Sequence, residues 1–244
     1  MSKNISTHIF LYYESTGKYV LETVSKFYNG PVYLSLIENN CSNDILIELA
    51  KGYFEDIRVL YVDNYGTDQY GFYHTLKLDD TNTPWIFYCH DKHQSKMNWL
   101  KDLLEVYKNM DQNLLGLATA GIISSKKHKY KQSSFDDILS DYANVDHSHR
   151  KDSVQSMHTL IWLHELERIL LTKHELGDKS FKYPVFSAGN IFLIRRDVAL
   201  KAHDCVYEEF FNKGVYRTDG EIGHGLERFY FYVSQAMGYN NLFI

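Results

Sequence analysis

Trp85-Ile86-Phe87-Tyr88-Cys89 is an unbroken apolar run, and it stops abruptly at His90-Asp91-Lys92-His93. Such a run, bounded by polar residues, fits a strand buried on both faces, as in a parallel sheet covered by helices. In open sheets of that kind ligands sit beyond the carboxyl ends of the strands. The run therefore predicts a core strand whose tip presents groups suited to a metal or a phosphate. A polar loop after a strand is the plainer alternative, but no turn former stands among the four ionisable residues.

The first half of the chain supplies the rest of such a sheet. His8 to Tyr13, Val32 to Ile37 and Ile57 to Val62 read as strands. Gly17 to Tyr28, Asn43 to Tyr53 and Thr67 to Leu78 read as the helices between them. A β-α-β-α-β-α-β series implies a mainly parallel sheet with right-handed crossovers. Beyond it, Ser95 to Met110 carries Trp99, Leu100, Leu103, Leu104 and Tyr107 on one stripe and should pack on the sheet. Leu114 to Ser124 and Phe186 to Ile194 are further strands. Ser153 to Leu171, Arg196 to Asn212 and Gly220 to Gly238 are helices, and the polar Lys126 to Asp152 is a loop or lid. No repeat or linker divides the 244 residues, so one domain is expected, with 44% hydrophobic residues to fill its core.

Charge and cysteine usage narrow the function class. A net charge of −5 without a long basic run argues against coating nucleic acid. Lys126-Lys127-His128-Lys129-Tyr130-Lys131 is the one basic patch; it is either a solvated loop or a surface for anionic head groups or a diphosphate-linked acceptor. Cys41, Cys89 and Cys205 are odd in number and lack metal-ligand spacing, which fits a reducing compartment. The start lacks a signal-peptide core, and no apolar run approaches the roughly 20 residues of a membrane span. A cytoplasmic protein is expected, with peripheral contact at the membrane face as the only membrane role.

The third strand runs into Asp63-Asn64-Tyr65-Gly66-Thr67-Asp68-Gln69-Tyr70-Gly71, a strand, turn and helix start. Glycine there lets a ligand approach the backbone, and Asn64, Asp68 and the helix amides can bind hydroxyls or phosphate oxygens. A simple capped helix start has the same composition.

Joined to the strand ending in His90-Asp91-Lys92, this turn resembles the rhamnan synthesis protein F group of glycosyltransferases, in which Asn-x-Gly-x-Asp precedes a strand ending His-Asp-Lys. Phe186-Ser187-Ala188-Gly189-Asn190-Ile191-Phe192-Leu193-Ile194-Arg195-Arg196 and His224-Gly225-Leu226-Glu227-Arg228-Phe229 extend the likeness. The resemblance implies an α/β GT-A fold, a nucleotide-sugar donor and a glycan or polysaccharide acceptor, the sugar being rhamnose or another deoxysugar. Residues up to about 110 would hold the donor and the remainder the acceptor. The donor set expected on this basis is Tyr12, Tyr13, Asp63, Asn64, Gly66, Asp68, His90, Lys92 and Arg228. Ser187, Gly189 and Asn190 would line the acceptor side.

The chain contains no Asp-x-Asp, unlike the commoner GT-A pattern. Two arrangements stand. His90 and Asp91, with His224 as an extra ligand, could hold Mn²⁺ or Mg²⁺ against the diphosphate. Alternatively Lys92 and His93 neutralise the leaving group without a metal. A relative that has lost the metal centre and only binds nucleotide or glycan is the rival to an enzyme.

The last helix supplies the other half of the chemistry. At about 100° per residue, Ile222, Leu226, Phe229, Val233 and Met237 share one face, and Glu221, His224, Glu227 and Arg228 the opposite one. A solvated stripe with Glu and Arg paired is the bland account. Sugar transfer needs a carboxylate to take the acceptor proton, and Asp219, Glu221 and Glu227 are the candidates, in no order. His147, His149, His158, His164 and His174 lack metalloprotease spacing and read as structural or surface residues. The serine-hydrolase elbow and the phosphate loop are absent as well.

Overall fold

The computed structural model describes residues 4–63, 67–91, 100–119, 191–206 and 221–244. The elements run β1 (Ile5–Leu11), α1 (Glu14–Ser25), β2 (Val32–Ile37), α2 (Asn43–Tyr53), β3 (Ile57–Val62), α3 (Thr67–Leu78), β4 (Trp85–His90) and α4 (Leu100–Asn109). They continue with β5 (Leu115–Thr119), β6 (Phe192–Arg195), α5 (Arg196–Val206), α6 (Glu221–Ala236) and β7 (Asn240–Phe243). Among the described residues the strands form one sheet in the order β3-β2-β1-β4-β6-β5-β7. The pairs β1/β2, β1/β4, β2/β3 and β5/β7 are parallel. β6 runs antiparallel to both of its neighbours, β4 and β5.

Alternation along the strands sorts the core into two layers. Trp85, Phe87 and Cys89 of β4 face the layer that holds Val20, Leu21 and Val24 of α1, Leu46 of α2, and Leu100 and Leu103 of α4. Ile86 and Tyr88 face the other layer, with Phe72 of α3, Val198 and Ala202 of α5, and Phe229 and Val233 of α6. All six β4 residues are buried, as the apolar run requires. Each large side chain so placed contributes about 1.5 to 3 kcal/mol. The stripe of α4 packs as expected, through Leu100, Leu103, Leu104 and Tyr107.

Gly71 acquires a different purpose from the one its sequence context suggested. A Cβ there would lie 2.8 Å from both Phe10 and Ser35, so the glycine lets α3 sit directly on β1 and β2 rather than admitting a ligand. That close approach brings the start of α3 to the strand tips.

β1 starts at Ile5, ahead of the expected His8, because the imidazole of His8 finds its partners in the core. The buried His8 meets Thr75 Oγ1 through Nδ1 and Asp79 Oδ2 through Nε2, each at 2.9 Å. Arg196 Nη2 donates to the same Asp79 oxygen at 2.6 Å, and its Nε donates to the Thr83 carbonyl at 2.6 Å. This network ties the end of α3 and the start of α5 to the entry of β4, away from the tips.

Two buried imidazoles give the fold an acid limit. Burial holds His8 below its ordinary value of 6.5, although the Asp79 carboxylate opposes the shift. Burial, with Lys77 and His74 nearby, pushes His203 down from 6.5 to about 3. A histidine neutral in the folded core and charged in the unfolded chain binds its proton more tightly when unfolded. Its contribution is therefore complete above 6.5 and is lost as pH falls from 6.5 toward about 3. Urea unfolding at stepped pH should show stability falling by up to about 1.4 kcal/mol per pH unit for His203 across that window, with His8 acting in the same direction below 6.5. In His203→Phe the slope should flatten; an unchanged slope contradicts the assignment.

Candidate active site at the strand tips

Because β1 to β4 are mutually parallel, their carboxyl ends open onto one edge of the sheet. Tyr12 and Tyr13 follow β1, Asp63 follows β3, and His90 and Asp91 end β4. Period-two alternation sends neighbouring side chains to opposite faces, so His90 shares the Tyr88 face with α3 while Asp91 turns toward α1.

On the α1 side, Asp91 is 1% exposed, and its Oδ2 accepts the backbone N–H of Tyr12 at 2.7 Å and of Tyr13 at 2.5 Å. From β2's exit, Asn40 Nδ2 donates to the Tyr12 carbonyl at 2.7 Å. The link between β1 and α1 is thus held from both neighbouring strands. It presents two aromatic rings, Tyr12 and Tyr13, edge to face with centroids 4.7 Å apart. Tyr13 is 47% exposed, so its ring is open to a stacking partner.

On the α3 side, Asp68 stands in the first turn of the helix. The Tyr88 hydroxyl lies 3.1 Å from Asp68 Oδ2 and 3.0 Å from the Asp68 carbonyl oxygen. His90 Nε2 lies 4.0 Å from the same Oδ2, with the His90 side chain 6% and the Asp68 side chain 16% exposed. A carboxylate and an imidazole at this separation, at the edge of a parallel sheet, can share a cation or a phosphate-bound ion.

α6 is joined to this corner through its core face. The Tyr230 hydroxyl donates to Gln69 Oε1, beside Asp68, and lies 2.7 Å from His203 Nε2 of α5. Glu227, one turn earlier on α6, is only 8% exposed. Leu226, Glu227 and Phe229 to Ser234 are all buried, so the bland account of a solvated stripe does not hold at Glu227. The reason is topological: α6 packs against β5, β7, α3 and α5 together.

The structure therefore brings together Tyr12, Tyr13, Asp68, His90 and Asp91 at the strand tips, leaves Asp63 on the same edge beyond the outer strand β3, and ties the helix of Glu227 to the Asp68 corner. Asp91, expected as a metal ligand, has its Oδ2 accepting two backbone amides. Among the described residues no group of three or more His, Cys, Asp or Glu converges on a metal position. Asn64, Gly66, Lys92, His93, Ser187, Gly189, Asn190 and Asp219 lie outside the described residues, as do the side chains of Glu221, His224 and Arg228 and the loop histidines. Tyr88 and Gln69 escaped the sequence reading. A tyrosine inside a strand buried on both faces needs an acceptor for its hydroxyl, which was the available signal.

A family model described as rhamnan synthesis protein F matches residues 1–239. No curated protein sequence matches significantly. Among solved structures, the 4-diphosphocytidyl-2C-methyl-D-erythritol synthase of Anaerococcus prevotii superposes with a TM-score of 0.51 at 10% identity, covering 100% of this chain and 89% of that one. The glucosyl-3-phosphoglycerate synthase of Mycobacterium tuberculosis, solved with Mn²⁺, UDP and glucosyl-3-phosphoglycerate, gives 0.44 at 11% identity over 97% and 81%. Mouse xyloside xylosyltransferase 1 gives 0.41 at 8% identity over 98% and 85%. With a mainly parallel sheet shared with the Anaerococcus prevotii enzyme and a family match over nearly its whole length, the chain belongs to the rhamnan synthesis protein F family.

Proposed function

We propose that the strand-tip edge binds the diphosphate of a nucleotide-sugar donor, and that the chain moves its sugar, rhamnose or another deoxysugar, onto a glycan or polysaccharide acceptor. The observation that carries this reading is the meeting of Asp68 and His90 at 4.0 Å beyond the carboxyl ends of parallel strands, next to the pinned Tyr12-Tyr13 link. Residues up to about 110 hold the donor, and the remainder faces the acceptor.

The roles follow from charge. Transfer develops positive charge at the anomeric carbon and negative charge on the departing phosphate. Asp68 and His90 are the described residues that fit a divalent ion, Mn²⁺ or Mg²⁺, and His224 is a third donor by its place on α6. A bound ion would supply charge neutralisation to the diphosphate as it leaves. Lys92 and His93 next along the chain provide the alternative cationic clamp. Tyr13 stacks on the base, and Asp91 holds the Tyr12 and Tyr13 amides in place for it. Glu227 takes the acceptor hydroxyl proton, with Asp219 and Glu221 as the other candidates on the lead-in. Ser187, Gly189 and Asn190 give the acceptor sugar room.

No helix among the described residues is long and apolar enough to cross a membrane. Contact with an anionic cytoplasmic membrane face through Lys126 to Lys131 belongs to the same proposal.

Isothermal titration with UDP, GDP and dTDP, with and without Mn²⁺, followed by a donor-hydrolysis assay, tests the reading. Binding of at least one nucleotide, strengthened by Mn²⁺ and accompanied by turnover of its sugar, is the expected result. Nucleotide binding without turnover of any sugar points to a binding relative instead; no binding at all removes the donor site.

A further inference from the structure

We propose that Tyr88 is the positioning residue of the donor site, orienting the Asp68 carboxylate toward His90; this rests on the reading that Asp68 serves the donor diphosphate. Tyr88 is fully buried, and its hydroxyl spans two oxygens of one residue, the Asp68 carbonyl at 3.0 Å and Oδ2 at 3.1 Å. The carbonyl alone would satisfy a buried phenol. The second contact does something further: it turns the carboxylate back over the sheet edge.

An aspartate in the first turn of a helix has a competing use, accepting the helix's own amides or pointing to solvent. A hydrogen bond to Oδ2 from β4 opposes both. The ring that delivers the hydroxyl cannot swing. It stacks on Phe72, one turn along α3 from Asp68, at 4.3 Å and 29°, and leans on Phe192 of β6 at 5.2 Å. Burial keeps the phenol protonated, so it stays a donor through the working pH range. His90, two residues along β4, shares the Tyr88 face, and its Nε2 reaches the same Oδ2 region at 4.0 Å. One rigid strand thus fixes both the carboxylate and the imidazole, which sets their separation before any ligand arrives. Such preorganisation shows as affinity because the ligand does not have to order the site itself.

The same hydroxyl is the cheapest group to delete. Tyr88→Phe keeps the stacked ring and removes only the donor. A double-mutant cycle of Tyr88→Phe and Asp68→Asn separates positioning from packing. The dissociation constants of UDP, GDP and dTDP are measured in Mn²⁺, with kcat and KM for sugar hydrolysis from whichever donor turns over. Tyr88→Phe should weaken the nucleotide about tenfold and raise KM in step, as expected for loss of one hydrogen bond to a charged group. In the Asp68→Asn background the same change should add less than about twofold, because the group it positions is gone. Wild-type affinity in Tyr88→Phe, or an equal loss in both backgrounds, overturns the proposal. Asp68→Asn must itself weaken binding; if it binds as wild type does, the proposal falls whatever Tyr88→Phe does. If the wild-type protein binds none of the nucleotides, the donor-site reading fails first and takes the positioning role with it.

Discussion

Asp91→Ala should abolish turnover, weaken nucleotide binding and lower the unfolding midpoint, the largest combined effect expected of any single change at the sheet edge. Asp91 Oδ2 takes two backbone amides, from Tyr12 and Tyr13, in a position 1% exposed to solvent. Alanine leaves both N–H groups facing protein with no acceptor. Each such orphan costs about 1 to 3 kcal/mol, so the pair removes a large share of a stability that is typically about 5 to 15 kcal/mol. The functional loss has the same origin, because the link that carries Tyr12 and Tyr13 would leave the site. Asp91→Asn provides the control. Its remaining carbonyl oxygen can accept from the same amides, so it should recover most of the stability and part of the affinity. Thermal unfolding and nucleotide titration on both variants check this, and wild-type activity in Asp91→Ala would show that the residue has no part in the site.

Glu227→Ala should have the opposite profile: turnover lost by about 10²- to 10⁴-fold, the range of a general base, with nucleotide affinity nearly intact. Glu227 sits one turn before Tyr230, whose hydroxyl reaches Gln69 next to Asp68, so its helix is tied to the proposed donor corner. Its carboxylate is almost buried, which a purely solvated stripe would not produce. Glu227→Gln keeps the shape and removes the base, so it should match the alanine variant in kcat and exceed it in stability. Steady-state kinetics on the two variants decide the matter. Wild-type turnover in Glu227→Gln transfers the role to Asp219 or Glu221, whose alanine variants then come next.

How much of this was legible in the chain depended on where the partners lay. The bounds of β2, α2, β3 and α3 were readable to the residue, because each is closed by local signals and its periodicity is clean. β4 was readable for the same reason, as a buried run ending at ionisable groups. The start of β1 was not: Ser6, Thr7 and His8 look like a polar lead-in until Thr75 and Asp79, some 70 residues away, supply partners for His8. The direction of β6 was hidden because Phe192–Arg195 has the same pattern whether it runs parallel or antiparallel. β7 was missed since Asn240 and Asn241 are poor strand formers; its pairing with β5 decides it. At the site, strand ends gave Asp68, His90 and Asp91 their places. The commitment of Asp91 to backbone amides and the burial of Glu227 depend on tertiary packing, and no local pattern encodes either.

The central claim is that a single diphosphate sits between the start of α3 and the tip of β4, beside the Tyr12-Tyr13 link and within reach of α6. A crystal structure of the protein grown with Mn²⁺ and the nucleoside diphosphate it binds best tests it most directly. The account predicts phosphate oxygens and the manganese anomalous peak beside Asp68 and His90, with the base on Tyr13 and α6 closing the far side. A nucleotide bound on another surface, with Asp68, Asp91 and His224 sharing no cavity, would contradict it.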